Sequence, residues 1–244
     1  MNLQRAASVL LLVAAAALAW LFLAPLRPIP RIWGVALLVA LPAWTLFEAK
    51  QLRAVDVLPR LPVYITSGVA LIVLAALTAG AAAGSGFSAE ALSLRLPAAA
   101  ELLAWSSGCT VAGIAFVWLC RVLGVRESAT LAQLLPRSRH ERLGFAGLSF
   151  LAGTAEEFMY RGFLLAALVS ASGSLATASL LSAAAFGIVH GYQAHQGAAR
   201  AGVLGMILTA PVLATGSLLP SMLAHTALDL LLGLVLADRL LASR

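Results

Sequence analysis

Three short stretches carry ionisable side chains where the surrounding sequence is apolar. Glu156, Glu157 and Arg161 lie in the first, His190 in the second, and His225 with Asp229 in the third. One charged side chain at the centre of a membrane helix costs about 2.5–3.5 kcal/mol on insertion scales, so four unpaired charges would cost on the order of 10 kcal/mol. Mutual pairing and a function are the default expectation for such groups. On a helix, Glu157 and Arg161 are four apart and share a face, so a charge-assisted pair can close within one turn. Glu156 is rotated by about 100° and points elsewhere. One glutamate can thus be tied to Arg161 while the other stays free for acid/base chemistry in a low-dielectric site.

The same four-residue step recurs in Phe186/His190 and in His225/Asp229, which lets three helices present imidazoles and carboxyls to one polar pocket. Each piece alone has a plainer reading. A single intramembrane His can simply bond one helix to another, a Glu–Arg pair can be structural, Phe186 can be core packing, and Gly187 and Gly191 can serve close helix approach. His140 reads as a solvated loop residue. His195, beside Tyr192 and Gln193 in a polar turn, could face water or the pocket. No Ser occupies a Gly-x-Ser-x-Gly elbow, which argues against a serine hydrolase.

These groups need helices to position them, and the composition supplies little else. The 244 residues are 61% hydrophobic and 11% charged, with a mean hydropathy of +0.97. Soluble domains average about 25% charged residues, so this is the balance of a polytopic membrane protein. The net charge of +6 does not point to nucleic acid, because the basic residues punctuate apolar runs instead of gathering on a water-facing surface. Cys109 and Cys120 would lie roughly 16 Å apart on one helix, too far for a bridge.

A hydrocarbon core about 30 Å thick takes roughly 20 helical residues to cross. The apolar runs predict eight helices, at 6–24, 32–47, 62–83, 102–120, 144–168, 175–189, 201–219 and 220–237, and no transmembrane barrel. The first is expected to be a retained helix, since its apolar run is longer than that of a signal peptide. Gly80 and Gly84 form a small-xxx-small pattern that permits close helix contact. Residues 84–100 read as a loop, and 121–142 is the most polar stretch. With both termini in the cytoplasm, twelve of the sixteen basic residues fall inside, three outside, and Arg161 within a span. The chain then divides into residues 1–143, four helices and a cytoplasmic loop, and residues 144–244, four helices carrying the motifs, in one integrated membrane domain.

Glu156-Glu157-Phe158-Met159-Tyr160-Arg161 resembles the EExxxR motif of the CAAX protease and bacteriocin-processing (Abi) family. Phe186 to His190 resembles its FxxxH motif, and His225 to Asp229 its HxxxN/D motif, in the same order. The resemblance covers roughly residues 144–237. It implies an eight-helix intramembrane endopeptidase similar to the Ras-converting CAAX prenyl proteases. By position, Glu156 and His190 would activate water, His225 and Asp229 would stabilise the oxyanion, and Glu157 with Arg161 would hold the site or shuttle protons. The prenyl-protease branch favours Asn where this chain has Asp229. An ionised Asp cannot donate to an oxyanion and would better orient His225.

Glu156, His190 and His225 could also form a three-ligand zinc site with one position left for water, although no HExxH helix is present. Metal-free pairing of Glu156 with His190 accounts for the same residues. The implied partners are the lipid bilayer and a membrane-anchored protein or peptide, and the expected location is a bacterial inner membrane. Prenylated CAAX proteins, bacteriocin leaders and C-terminal sorting signals all fit, and no oligomeric state is specified. Two other functions are compatible with the residues: a proton-coupled transporter, and a non-catalytic immunity or scaffold protein. Against transport, no internal repeat or pair of broken helices is visible. The apolar run of His190 ends near the cytoplasmic side while Glu156 lies deep in its own, so the pocket closes only if that helix continues past Gly191 or the helices are staggered.

Overall fold

A computed structural model of the chain describes residues 3–52 and 58–241. Arg53 and Arg244, which enter the charge count, lie outside the described residues, as do Asn2 and Asp56. Eight long helices and two short ones are present among the described residues. In chain order they are α1 (Leu3–Phe22), α2 (28–52), α3 (Arg60–Ser85), α4 (Ala99–Val122), the short α5 (Ala129–Leu134), α6 (139–172), α7 (Leu175–Val189), α8 (Ala194–Thr215), α9 (Leu219–Val235) and the short α10 (Ala237–Leu241). The architecture is an all-α bundle, and among the described residues the β-type pairing is an isolated antiparallel bridge between Leu94 and Ser217.

Local sequence explains where the helices begin and end. Pro28 and Pro220 sit in first turns, where a missing N–H is harmless. Ser138 and Glu141 form a reciprocal cap at the start of α6, each side chain accepting from the other's backbone N–H, at 3.2 and 2.9 Å. The backbone N–H groups of Ser138 and Arg137 hold the partly exposed Glu141 carboxyl below the usual carboxylate range. This cap is therefore complete above the ordinary carboxylate pKa and is lost as pH falls through the lowered one. Gly86, Gly173 and Gly216 end α3, α6 and α8 in the left-handed conformation.

Four helical stretches, Pro28–Gln51, Arg60–Ser85, Ala99–Val122 and Gly191–Thr215, are long and apolar enough to cross a membrane, and α1, α7 and α9 supply shorter apolar helices. The chain is an integral membrane protein. α1 lies at the edge of the bundle, with Leu10, Leu11, Leu18 and Leu21 exposed along it as a lipid-facing surface requires. The most enclosed element is the middle of α6, where Tyr160, Phe163, Leu164 and Leu168 are essentially inaccessible. α6 packs against α3, α7 and α9.

Two helix starts differ most from those predicted by apolar runs. α6 starts at Arg139, before Gly144, because the Ser138/Glu141 cap can nucleate it in polar sequence. α8 starts at Ala194, before Ala201, and carries Arg200 inside the helix. That charge is tolerated because both terminal nitrogens of Arg200 donate to the carboxylate of Glu127, at 2.6 and 2.5 Å, with both side chains over nine-tenths buried. The pair straps the polar segment 123–138 over the bundle end. Tyr64 donates to the Leu134 carbonyl from the other side.

The Gly80 and Gly84 pattern does not mediate a tight contact. A methyl group at Gly80 would meet nothing, and one at Gly84 would only touch Ile29. Close approach is required elsewhere. A Cβ at Gly153 would sit 2.2 Å from Thr226 Oγ1 and 2.8 Å from its backbone nitrogen, so α6 and α9 cross nearly backbone to backbone.

Gly153→Ala should therefore destabilise the bundle by about 1–3 kcal/mol through overpacking, read as a lower thermal midpoint in detergent. Arg200→Gln alone should cost about 3–5 kcal/mol by leaving Glu127 buried and unpaired. The double variant Glu127→Gln/Arg200→Gln should recover part of that loss in a double-mutant cycle.

Candidate active site

The site is built outward from α6. Glu156 and Glu157 end its regular portion, and residues Phe158–Leu164 form a wide turn bonded i→i+5, a feature that recurs at functional sites. Glu157 and Arg161 are completely buried, and Arg161 Nη1 donates to Glu157 Oε1 at 3.0 Å. The same oxygen accepts from His225 Nδ1 at 2.8 Å, so one carboxylate ties α6 to α9. The Arg161 guanidinium lies 4.2 Å from the centre of the Phe186 ring, and Gly205 on α8 leaves it room: a Cβ there would be 2.8 Å from Nη2.

α7 ends at Val189, so His190 is its C-terminal cap and is followed by a 3-10 turn, Gly191–Gln193. The helix does not continue past Gly191. The offset between α6 and α7 brings His190 level with Glu156. His190 Nδ1 donates to the Phe186 carbonyl at 2.8 Å, which fixes the tautomer and leaves Nε2 as an acceptor directed inward. Glu156 Oε2 lies 4.0 Å from His190 Nε2 and 4.0 Å from His225 Nε2, and makes no hydrogen bond among the described residues. Asp229 Oδ2 is 3.9 Å from His225 Nε2, with its side chain 37% exposed at the margin.

Phe186 is the hub of this arrangement. Its ring contacts His190 at 4.6 Å, His225 at 5.9 Å and Tyr160 at 5.4 Å between centroids. The motif residues surround the junction of two cavities, both bordered by His190, Gln193, His225 and Asp229. The larger, of about 510 Å³, runs between α2, α3 and α6 past Leu41, Trp44, Leu71 and Met159. The smaller, of about 140 Å³, ends at Glu127 and Arg200.

Six residues singled out by sequence, Glu156, Glu157, Arg161, His190, His225 and Asp229, are thus in one cluster. His140 and His195 are exposed, His140 on the first turn of α6 and not in a loop. Cys109 and Cys120 are both free. Two features escaped sequence reading. Glu127 and Arg200 are 73 residues apart, and nothing local links them. Tyr160 could have been found from its position four residues after Glu156, which puts both on one face.

Glu156, His190 and His225 have the donor types of a zinc site, but their spacing does not fit one. Ligands held about 2.0–2.1 Å from a tetrahedral zinc lie about 3.3 Å from each other, whereas Glu156 Oε2 is 4.0 Å from each imidazole nitrogen. Among the described residues, no group of three His, Cys, Asp or Glu side chains is placed to hold a metal ion.

No curated protein and no solved structure matches the chain. Residues 139–231, which span all three motifs, match the family model for the type II CAAX prenyl endopeptidase Rce1-like domain. Over those residues the chain is similar to the Rce1-like CAAX prenyl endopeptidases, a family of proteases.

Proposed function

We propose that the chain hydrolyses a peptide bond of a membrane-anchored protein or peptide, with water activated by Glu156 and His190. The observation that carries this reading is the 4.0 Å separation of Glu156 Oε2 from His190 Nε2, both acceptors facing one cavity. A single water donating to two acceptors, each about 2.8 Å away, spans about 4–4.5 Å. The water between them is polarised by both and adds through its oxygen to the substrate carbonyl carbon. Its proton passes to Glu156, and the carbonyl electron pair moves onto oxygen. Glu156 then delivers that proton to the leaving amine as the C–N bond breaks.

His225 serves the oxyanion. Its Nδ1 is anchored by Glu157, whose carboxylate compensates the imidazolium and directs Nε2–H into the cavity. Arg161 shares the Glu157 carboxylate with His225 and takes no part in bond making. Asp229, at the margin, adds a carboxyl group 3.9 Å from His225 Nε2. The larger cavity, walled by Trp44, Leu71 and Met159, suits an apolar or lipid-modified portion of the substrate. Both cavities lie toward the polar segment 123–138, so the charge distribution favours access from the cytoplasmic side of a bacterial inner membrane, with both termini there.

Glu156→Gln and His190→Ala, reconstituted in liposomes with quenched prenylated and unprenylated peptides, should each lower kcat by about 10²–10⁴-fold with an unaltered melting midpoint. Wild-type turnover in both variants would remove the assignment. Asp229→Asn should lower kcat by less than about tenfold, because water activation does not pass through that side chain. A loss as large as that of Glu156→Gln would place Asp229 in the proton path.

A further inference from the structure

Tyr160 stands at none of the motif positions, yet it is 1% exposed at the heart of the site and its hydroxyl has no hydrogen-bond partner among the described residues. Buried hydroxyls are seldom left unpaired unless a water or ligand completes them. The ring itself is fixed. It meets Phe186 edge to face at 5.4 Å, and its backbone carbonyl accepts from Ser182 Oγ at 2.8 Å.

Helix geometry gives the hydroxyl its direction. Tyr160 follows Glu156 by four residues, so the two share a face, and a long helical side chain leans back over the preceding turn. Tyr160 and Glu156 line the larger cavity together with His190 and His225. On that wall Thr45, Thr66 and Ser149 each donate to a carbonyl of their own helix, while the Tyr192 oxygen accepts from Gln193 and keeps its own proton.

The chemistry of the site leaves a matching requirement. An oxyanion is held by preorganised donors, commonly more than one. His225 Nε2 supplies one. His190 cannot supply another, because its proton is committed at Nδ1 to the Phe186 carbonyl. Carboxylates at Glu156 and Asp229 only accept.

We propose that Tyr160 Oη donates a hydrogen bond to the scissile carbonyl oxygen as it becomes an oxyanion, which makes Tyr160 a catalytic residue. The assignment rests on the peptidase reading above. As water adds to the carbonyl carbon and the electron pair moves onto oxygen, Tyr160 shares its proton without transferring it. The pair returns when the C–N bond breaks, and the proton held by Glu156 leaves with the amine.

The test is Tyr160→Phe, which removes one oxygen atom and keeps the ring packing. Its control is Ser179→Ala, which removes another buried, unpartnered hydroxyl from α7, away from both cavities. Both are assayed in liposomes beside wild type and Glu156→Gln on three quenched peptides: a farnesylated CAAX peptide, its unprenylated form and a peptide with a transmembrane anchor. Tyr160→Phe should lose about 10²-fold in kcat, with KM within about twofold and a melting midpoint no lower than wild type. Ser179→Ala should keep wild-type kcat. Unchanged kcat in Tyr160→Phe, or a fall accompanied by a lower melting midpoint or shared by Ser179→Ala, overturns the assignment while wild-type cleavage leaves the peptidase reading standing. No cleavage of any peptide by wild type overturns both.

Discussion

A single carboxylate oxygen organises this molecule. Glu157 Oε1 receives Arg161 from its own helix and His225 from α9, and it does so where water does not reach. An ionised carboxylate in such a place is sustained only by charge-assisted bonds on well-fixed donors. Remove either donor and the carboxylate keeps a single charge-assisted bond in a place that water does not reach. The interaction therefore fixes the separation and rotation of α6 and α9, and it sets which His225 nitrogen faces the cavity. The adjacent Glu156, turned away from this lock, is left with an oxygen that no side chain claims.

Small residues let that lock close. Gly153 allows α6 and α9 to cross at backbone distance, and Gly205 clears a space for the guanidinium of Arg161. Without hydrophobic expulsion from lipid to drive helices together, such close packing and interhelical polar bonds carry much of the association. The wide turn at residues 158–164 belongs to the same solution, for it lies where Tyr160 and Arg161 must both be aimed inward from one helix. Phe186 completes the set by touching Tyr160, Arg161, His190 and His225 with one ring. A rigid apolar hub of this kind holds the two imidazoles and the guanidinium apart while they converge on one place.

The two cavities give the cluster its context. An apolar cleft reaches it from between α2 and α3, while a smaller, charged recess leaves it toward the Glu127–Arg200 pair. The clustered carboxylates and imidazoles thus lie where two mostly apolar cavities meet, one of them bordered by a buried ion pair.

The sequence by itself determined the solvent, the helices and the identity of the charged groups. Runs apolar on every side leave only the helix as a way to satisfy the backbone in lipid, and intramembrane Glu, Arg and His are too costly to be incidental. The four-residue spacing even determined which glutamate faces Arg161, since that geometry is internal to one helix. It could not determine contacts between helices, which depend on offsets that no single segment encodes. That His225 bonds Glu157, that His190 caps α7 level with Glu156, and that Arg200 lies within a helix against Glu127 were decided by tertiary packing. So too was the failure of Gly80 and Gly84 to form a contact, because a small-residue pattern permits close approach but does not select the neighbour.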